Sequence, residues 1–160
     1  MWFRVFGTNE IEPDQHGLVD ILQSRWTGHA ANFQCDSQGW FTATLKAPDG
    51  QVLLQVNRYL AAEEGIRSEL NSWAAWLESQ ESQHRRAGGV SPLRELMLHV
   101  ISTKQLFAVD AARDFDTELI QLSQYLARQT AGVYQVDGMG FFDHDGSCLF
   151  AEALEPSLEG

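Results

Sequence analysis

The chain has 160 residues, 44% hydrophobic and 21% charged, which suits one domain with a sizeable apolar core. Its formal net charge of −11 disfavours binding to nucleic-acid phosphates, and no stretch is long and apolar enough to cross a membrane. Two cysteines give no disulfide framework, so we expect a soluble, cytoplasmic protein with reduced thiols.

The first sixty residues show the pattern of a strand, a helix and three further strands. Alternating apolar residues predict strands at 2–6, 31–36, 40–46 and 52–59, and residues 13–26 predict a helix opened by Pro13. Pro48, Asp49 and Gly50 separate the last two strands and predict a hairpin turn. This series is β-α-β-β-β.

Residues 61–103 follow as a helical insert. Apolar residues recur at helical spacing and predict a helix over 62–80; they are Ile66, Leu70, Trp73 and Leu77. Ser91 and Pro92 predict the cap and first turn of a short second helix. The insert therefore contributes two helices between two strand-rich regions.

Residues 104–152 repeat the order of the first series. Strands are predicted at 105–110, 133–137, 140–143 and 147–150, with a helix at 116–129. This region carries 3 basic and 10 acidic side chains when the last eight residues are included, so most of the net charge lies there. It also reads as β-α-β-β-β.

The two series share a gapless pattern at an offset of about a hundred residues. It has six identities: Leu18/Leu119, Gln23/Gln124, Gln34/Gln135, Asp36/Asp137, Gly39/Gly140 and Phe41/Phe142. We predict one compact α+β domain over 1–160, with similar halves 1–60 and 104–152 around the insert. Helices should pack in a second layer on a mostly antiparallel sheet. The alternative is two unrelated segments that share turn chemistry.

Candidate ligand-binding residues cluster around the start of the insert. Arg58 and Tyr59 end the longest predicted strand, and Arg67 lies one helical turn into the next helix. Two arginines there favour an anionic ligand or a neighbouring carboxylate. Trp76 points away from the core stripe of the long helix. We expect it either to pack on the short helix or to lie in an interface.

Metal and catalytic patterns are weak. Asp137, Asp143 and Asp145 lie near His144 on the terminal turns and are weak candidates for a divalent-cation site. The calcium-loop template fails, because Cys148 and Leu154 stand where it requires Gly and Glu. No nucleophile elbow, dinucleotide loop or phosphate loop is present. We therefore expect no cofactor and lean against an enzyme.

Two resemblances concern architecture. Paired β-α-β-β-β modules resemble the vicinal-oxygen-chelate proteins, and this implies metal ligands on the first and last strands of each module. The strands 2–6 and 105–110 have no His and 52–59 has no Glu, while Glu152 stands near such a position. The order helix, three strands, helix from residue 13 is similar to secretion chaperones, which implies binding to another chain.

The sequence favours a non-enzymatic, acidic binding or adaptor protein that engages a protein partner, with a basic partner favoured by charge. The alternative is a small-molecule or metal-dependent binding protein or enzyme with a cleft between the two modules. A dimer through a sheet edge or Trp76 is open, and the oligomeric state is undetermined.

Overall fold

The structure is a computed structural model, and it describes residues 2–23, 28–86, 93–111 and 116–152. Four helices and eight strands lie in these ranges. In chain order they are β1 (Phe3–Gly7), α1 (Gln15–Gln23), β2 (Ala30–Asp36), β3 (Gly39–Lys46), β4 (Val52–Leu60), α2 (Ile66–Arg86), α3 (Leu93–Ile101), β5 (Gln105–Ala111), α4 (Asp116–Gln129), β6 (Val133–Val136), β7 (Gly140–Asp143) and β8 (Cys148–Ala151).

All eight strands form one sheet in the order β2-β3-β4-β5-β1-β6-β7-β8, and every neighbouring pair is antiparallel. The first strand lies near the centre, where Val5 faces Phe107 on one side and Tyr134 on the other. The predicted α+β fold with a mostly antiparallel sheet is confirmed at this level.

One face of the sheet is covered by α1 and α4. Leu18 and Leu22 of α1 pack with Trp40 and other sheet residues in a first apolar cluster. The helix begins at Gln15 rather than at the predicted residue 13, because Asp14 caps it: the Asp14 carboxylate accepts a hydrogen bond from the backbone N–H of His16 at 3.1 Å. Burial of each large apolar side chain contributes about 1.5–3 kcal/mol to stability.

The opposite face is covered by α2 and α3 over β1, β6 and β7. Their apolar side chains form a second cluster with Phe6, Leu106, Val133 and Phe141. We predicted a single helical layer, whereas helices lie on both faces of this part of the sheet. The physical reason is that strands such as β1 are apolar on both sides, with Phe3 and Val5 in one cluster and Phe6 in the other.

The rest of that face is not covered by the helices of the described chain. No side chain of β2 or β3 belongs to the second cluster, and β4 contributes Tyr59 at its margin. We call this region the open face. Its side chains include six uncharged polar residues, and Asp110, which pairs with Gln55, lies at its margin. The six are Asn32, Gln34, Thr42, Thr44, Gln55 and Asn57.

Element bounds differ most at the helical insert. The long helix begins at Ile66 rather than at residue 62, because residues 61–65 form a turn in which Gly65 has a φ of +85°. It continues to Arg86, beyond the predicted end at residue 80. The predicted end of the first helix at residues 24–26 and the predicted cap residues Ser91 and Pro92 lie outside the described residues.

The β-α-β-β-β order recurs as predicted, but the arrangement in the sheet does not confirm a duplication. The first strands of the two series, β1 and β5, pair at the centre of the sheet. Of the three strands that follow its helix, the first series joins this central pair through the last, β4, and the second series joins it through the first, β6. Trp40 and Phe141, which the sequence pattern makes equivalent, lie in clusters on opposite faces. The duplication therefore stays a prediction.

Candidate functional site

Two cavities lie at the end of the sheet where β4 and the β2–β3 hairpin meet. The first has a volume of about 290 Å³ and the second about 430 Å³. They share Gln38, Arg58, Leu60 and Glu63 in their linings. We call them together the Arg58 cavities.

Arg58 is held in a fixed position between the two cavities. Its Nε donates to the Oε1 of Gln105 at 2.8 Å, and its Nη1 donates to the carbonyls of Gln38 at 3.1 Å and Trp40 at 2.9 Å. The guanidinium lies 5.9 Å from the centroid of the Trp40 ring, and the residue is only 5% exposed. These contacts tie β3, β4 and β5 together.

Gln105 extends this network to the segment between β1 and α1. Its Nε2 donates to the carbonyls of Asn9 and Ile11, each at 2.8 Å. In the same segment the Glu12 carboxylate accepts from the backbone N–H of Trp40 at 3.0 Å, and the carbonyl of Pro13 accepts from the Trp40 indole at 2.9 Å. Buried polar groups are thus paired, which makes the floor of the cavities rigid.

The electrostatics at this end favour positive charge. Burial lowers the pKa of Arg58, while the carboxylates of Glu12, Asp36 and Glu63 oppose that shift. The two linings contain three carboxylates, of Glu10, Asp36 and Glu63, against the two cations of Arg58 and Lys104. Because these carboxylates outnumber the cations by one and the Arg58 guanidinium is itself buried, the linings are acidic on balance.

Aromatic side chains lie beside the acids. Phe41 and Tyr59 line the first cavity, and Phe41 is 39% exposed. The face of an aromatic ring attracts a cation within about 6 Å. Among the described residues, no imidazole or thiol lines either Arg58 cavity. The arrangement is therefore suited to binding a cationic group.

The structure brings together two of the four predicted ligand-binding residues. Arg58 and Tyr59 line the first cavity. Arg67 lies in neither lining, and its Nη1 donates to the carbonyl of Ile101 at 3.0 Å. Trp76 packs in the second apolar cluster, 6.4 Å from the ring of Phe141.

The three aspartates proposed for a metal have separate partners. Asp137 forms an ion pair with Arg4 at 2.7 Å, and Asp143 lies 2.9 Å from Nδ1 of His144. Asp145 accepts from the backbone N–H of Ser147 at 2.9 Å, a contact that lowers its pKa. In the part of the chain that the structure describes, no group of three or more His, Cys, Asp or Glu side chains is placed to hold a metal ion.

A third cavity, of about 450 Å³, lies between α3 and the β6–β7 region. We call it the His99 cavity. His99 and His144 line it together with Glu95 and Asp143, and the His99 Nε2 lies 3.0 Å from the carbonyl of Phe6. This cavity brings two histidines together that lie 45 positions apart in the sequence.

Most of the carboxylates near Arg58 were not predicted from the sequence. Glu10, Glu12 and Asp36 come from other elements than Arg58, and Gln105 is 47 residues away from it. The one available signal was a polar glutamine just before an apolar run of four residues, since a buried polar group must find a partner.

Comparison with protein-family models, with curated proteins and with solved structures gave no match to this chain. Among the described residues, none of the helices has both the length and the apolar character needed to cross a lipid bilayer.

Proposed function

We propose that this chain is a non-enzymatic binding protein that engages a basic segment of a protein partner at the Arg58 cavities. The observation that carries the proposal is the commitment of Arg58 to Gln105 and to two backbone carbonyls. The guanidinium is buried and its hydrogen bonds are made inside the fold, while the carboxylates of Asp36 and Glu63 outnumber it two to one in the lining of the first cavity.

An anionic ligand fits this end of the sheet poorly. It would meet the carboxylates of Glu10, Asp36 and Glu63, and like charges disfavour binding. A lysine or arginine side chain gains from those carboxylates and from the aromatic rings of Phe41 and Tyr59. The proposed ligand group is therefore an ammonium or guanidinium.

The test is calorimetric titration with short, otherwise neutral peptides that carry one central arginine, norleucine or glutamate. We expect the arginine peptide to bind and the other two to bind much more weakly. Binding should weaken as ionic strength rises, because solvent-facing charges are screened. Equal binding of all three peptides would overturn the proposal.

Variants of the carboxylates locate the interaction. Asp36→Asn and Glu63→Gln remove charge but keep the oxygens that accept from the backbone of Gln38 and Leu60. Each should weaken arginine-peptide binding by about fivefold, the equivalent of an ion pair of about 1 kcal/mol. Glu64→Gln removes the same charge at an exposed neighbour outside both linings, and binding should be unchanged.

The alternative proposal places a small molecule or metal in a cleft between the two β-α-β-β-β modules. Where the two series meet, Val5 and Phe107 are fully buried neighbours in a packed cluster. The observation that favours this alternative is instead the His99 cavity with its two imidazoles. Zinc titration of the intact chain tests its metal-binding form. The described residues hold no preformed group of three metal ligands, so only stoichiometric binding that His99→Ala abolishes would support it.

A further inference from the structure

We propose that a second copy of this chain binds along the outer edge of β2, in an antiparallel pairing about a two-fold axis at Phe33. The result is one sheet that runs continuously through two copies. The proposed contact lies along the sheet edge, shares only Asp36 with the Arg58 cavities, and stands independently of the proposed function.

The two edges of the sheet differ in a way that singles out β2. An open edge presents unpaired backbone groups, and proteins protect such edges with short strands, charges, proline or covering elements. β8 has four residues, and its Leu149 and Phe150 pack against the second cluster beneath α3. β2 has seven residues, no proline and a single charge, Asp36, at its last position.

In the described part of the chain, the outer side of β2 has no backbone partner. Every backbone pairing of this strand is with β3. Asn32, Gln34 and Cys35 are exposed, and Phe33 is half-buried against the Trp40 ring at 5.8 Å. Backbone donors and acceptors on such an edge are available to another strand.

The strand is complementary to itself in the antiparallel direction. With Phe33 at the axis, the residues that face each other are Asn32 with Gln34, Ala31 with Cys35, and Ala30 with Asp36. Amides therefore meet amides on the open face. On the α1 face the two Phe33 side chains meet at the axis, and Ala31 meets Cys35 on each side of them. No like charges face each other across the axis, so the pairing avoids the repulsion that opposed like charges cause.

The chemistry of the edge selects a second copy over a charged foreign segment. Asp36 is the one charged side chain on the strand, so the strand itself offers little attraction to a basic segment. Each copy carries a net charge of −11, and the copies repel at long range. Salt should therefore strengthen self-association, whereas it should weaken arginine-peptide binding.

Sedimentation of the full chain at micromolar concentrations tests the proposal. We expect a species of twice the 18.0 kDa chain mass. Its dissociation constant should be lower in about 0.5 M NaCl than in about 0.05 M NaCl. A mass of one chain at both salt concentrations would overturn the proposal and leave the Arg58 cavities unaffected.

Paired charge variants test the edge and its register. In the double variant Asn32→Lys with Gln34→Lys, like charges face each other twice across the axis, and the dissociation constant should rise about tenfold. In Asn32→Lys with Gln34→Glu, opposite charges face each other, and the dimer should be retained or strengthened.

Asn71→Lys with Ala75→Lys places the same added charge on exposed positions of α2 and serves as the control. We expect it to dimerise like the native chain. A dimer that responds equally to the two β2 variants would show that another surface holds the copies together, and the proposal would be wrong.

Discussion

Gly39 lies between Gln38 and Trp40, the two residues whose carbonyls accept hydrogen bonds from Arg58. Its φ is +103°, which L side chains rarely adopt, and an added Cβ would lie 2.6 Å from the carboxyl carbon of Glu12. Glu12 in turn accepts from the backbone of Trp40, whose carbonyl holds Arg58. We expect Gly39→Ala to lower the free energy of unfolding by about 2–4 kcal/mol, from urea denaturation.

Gly50 provides the matched control. Its φ is +90°, but an added Cβ would meet nothing within 4 Å. Gly50→Ala should therefore cost only the backbone strain, about 1–2 kcal/mol. The difference between the two variants isolates the clash with Glu12. Equal losses would show that the Glu12 carboxylate moves aside at no cost.

Single residues could be predicted as site candidates where a polar or aromatic side chain ends an apolar strand. Arg58 and Tyr59 stood out because they end the longest predicted strand, and both line the first cavity. The partners of Arg58 could not be predicted, because sheet pairing alone brings Gln105 opposite the end of β4. Hydrophobic alternation gives strand positions but not strand neighbours.

The helical insert forms part of the core rather than an addition to it. Four sheet residues, Phe6, Leu106, Val133 and Phe141, share the second cluster with α2 and α3. The chain ends around the insert are adjacent, since the N–H of Ala61 donates to the carbonyl of Lys104 at 2.8 Å. Residues 62–103 can therefore be replaced by a two-residue turn.

We expect that deletion to abolish cooperative unfolding, because it exposes one whole apolar face of the sheet centre. Near-ultraviolet circular dichroism should collapse and binding of an apolar dye should rise. Leu98→Ser in α3 is the control, because Leu98 is 58% exposed and its loss should leave unfolding unchanged. A shortened chain with native-like unfolding would contradict a core role for the insert.

Helices and strands were predictable because their periodicities are local. Leu70, Trp73 and Leu77 give a helical stripe wherever the helix packs, and all three lie in or against the second cluster. The attachment of the strand series was not predictable. The same alternation allows the three strands after each helix to join the central pair through the first or the last of them. The first series joins through its last strand, β4, and the second through β6, the first strand after its helix.

The sequence also indicates which strands of the sheet are covered by helices on both faces. The run Leu106-Phe107-Ala108-Val109 is apolar at successive positions, which is typical of a strand buried on both faces. β2 and β3 instead alternate with polar residues and are covered on one face. Helices on both sides of the centre and an open face at one end follow from that contrast.

Charge acts at the scale of the entire molecule. With a net charge of −11, the compact state is opposed by self-repulsion, and salt screens that repulsion over about 10 Å at 0.1 M. We expect the melting temperature to rise by several degrees between low salt and about 0.5 M NaCl, measured by calorimetry at concentrations where single chains dominate.

A neutralised variant separates net charge from general salt effects. Asp20→Asn, Glu78→Gln and Asp110→Asn remove three exposed carboxylates from three different elements, which changes the net charge from −11 to −8. Its melting temperature should be higher at low salt and should depend less on NaCl. If salt instead lowers the melting temperature of the native chain, local ion pairs such as Arg4 with Asp137 outweigh the overall repulsion.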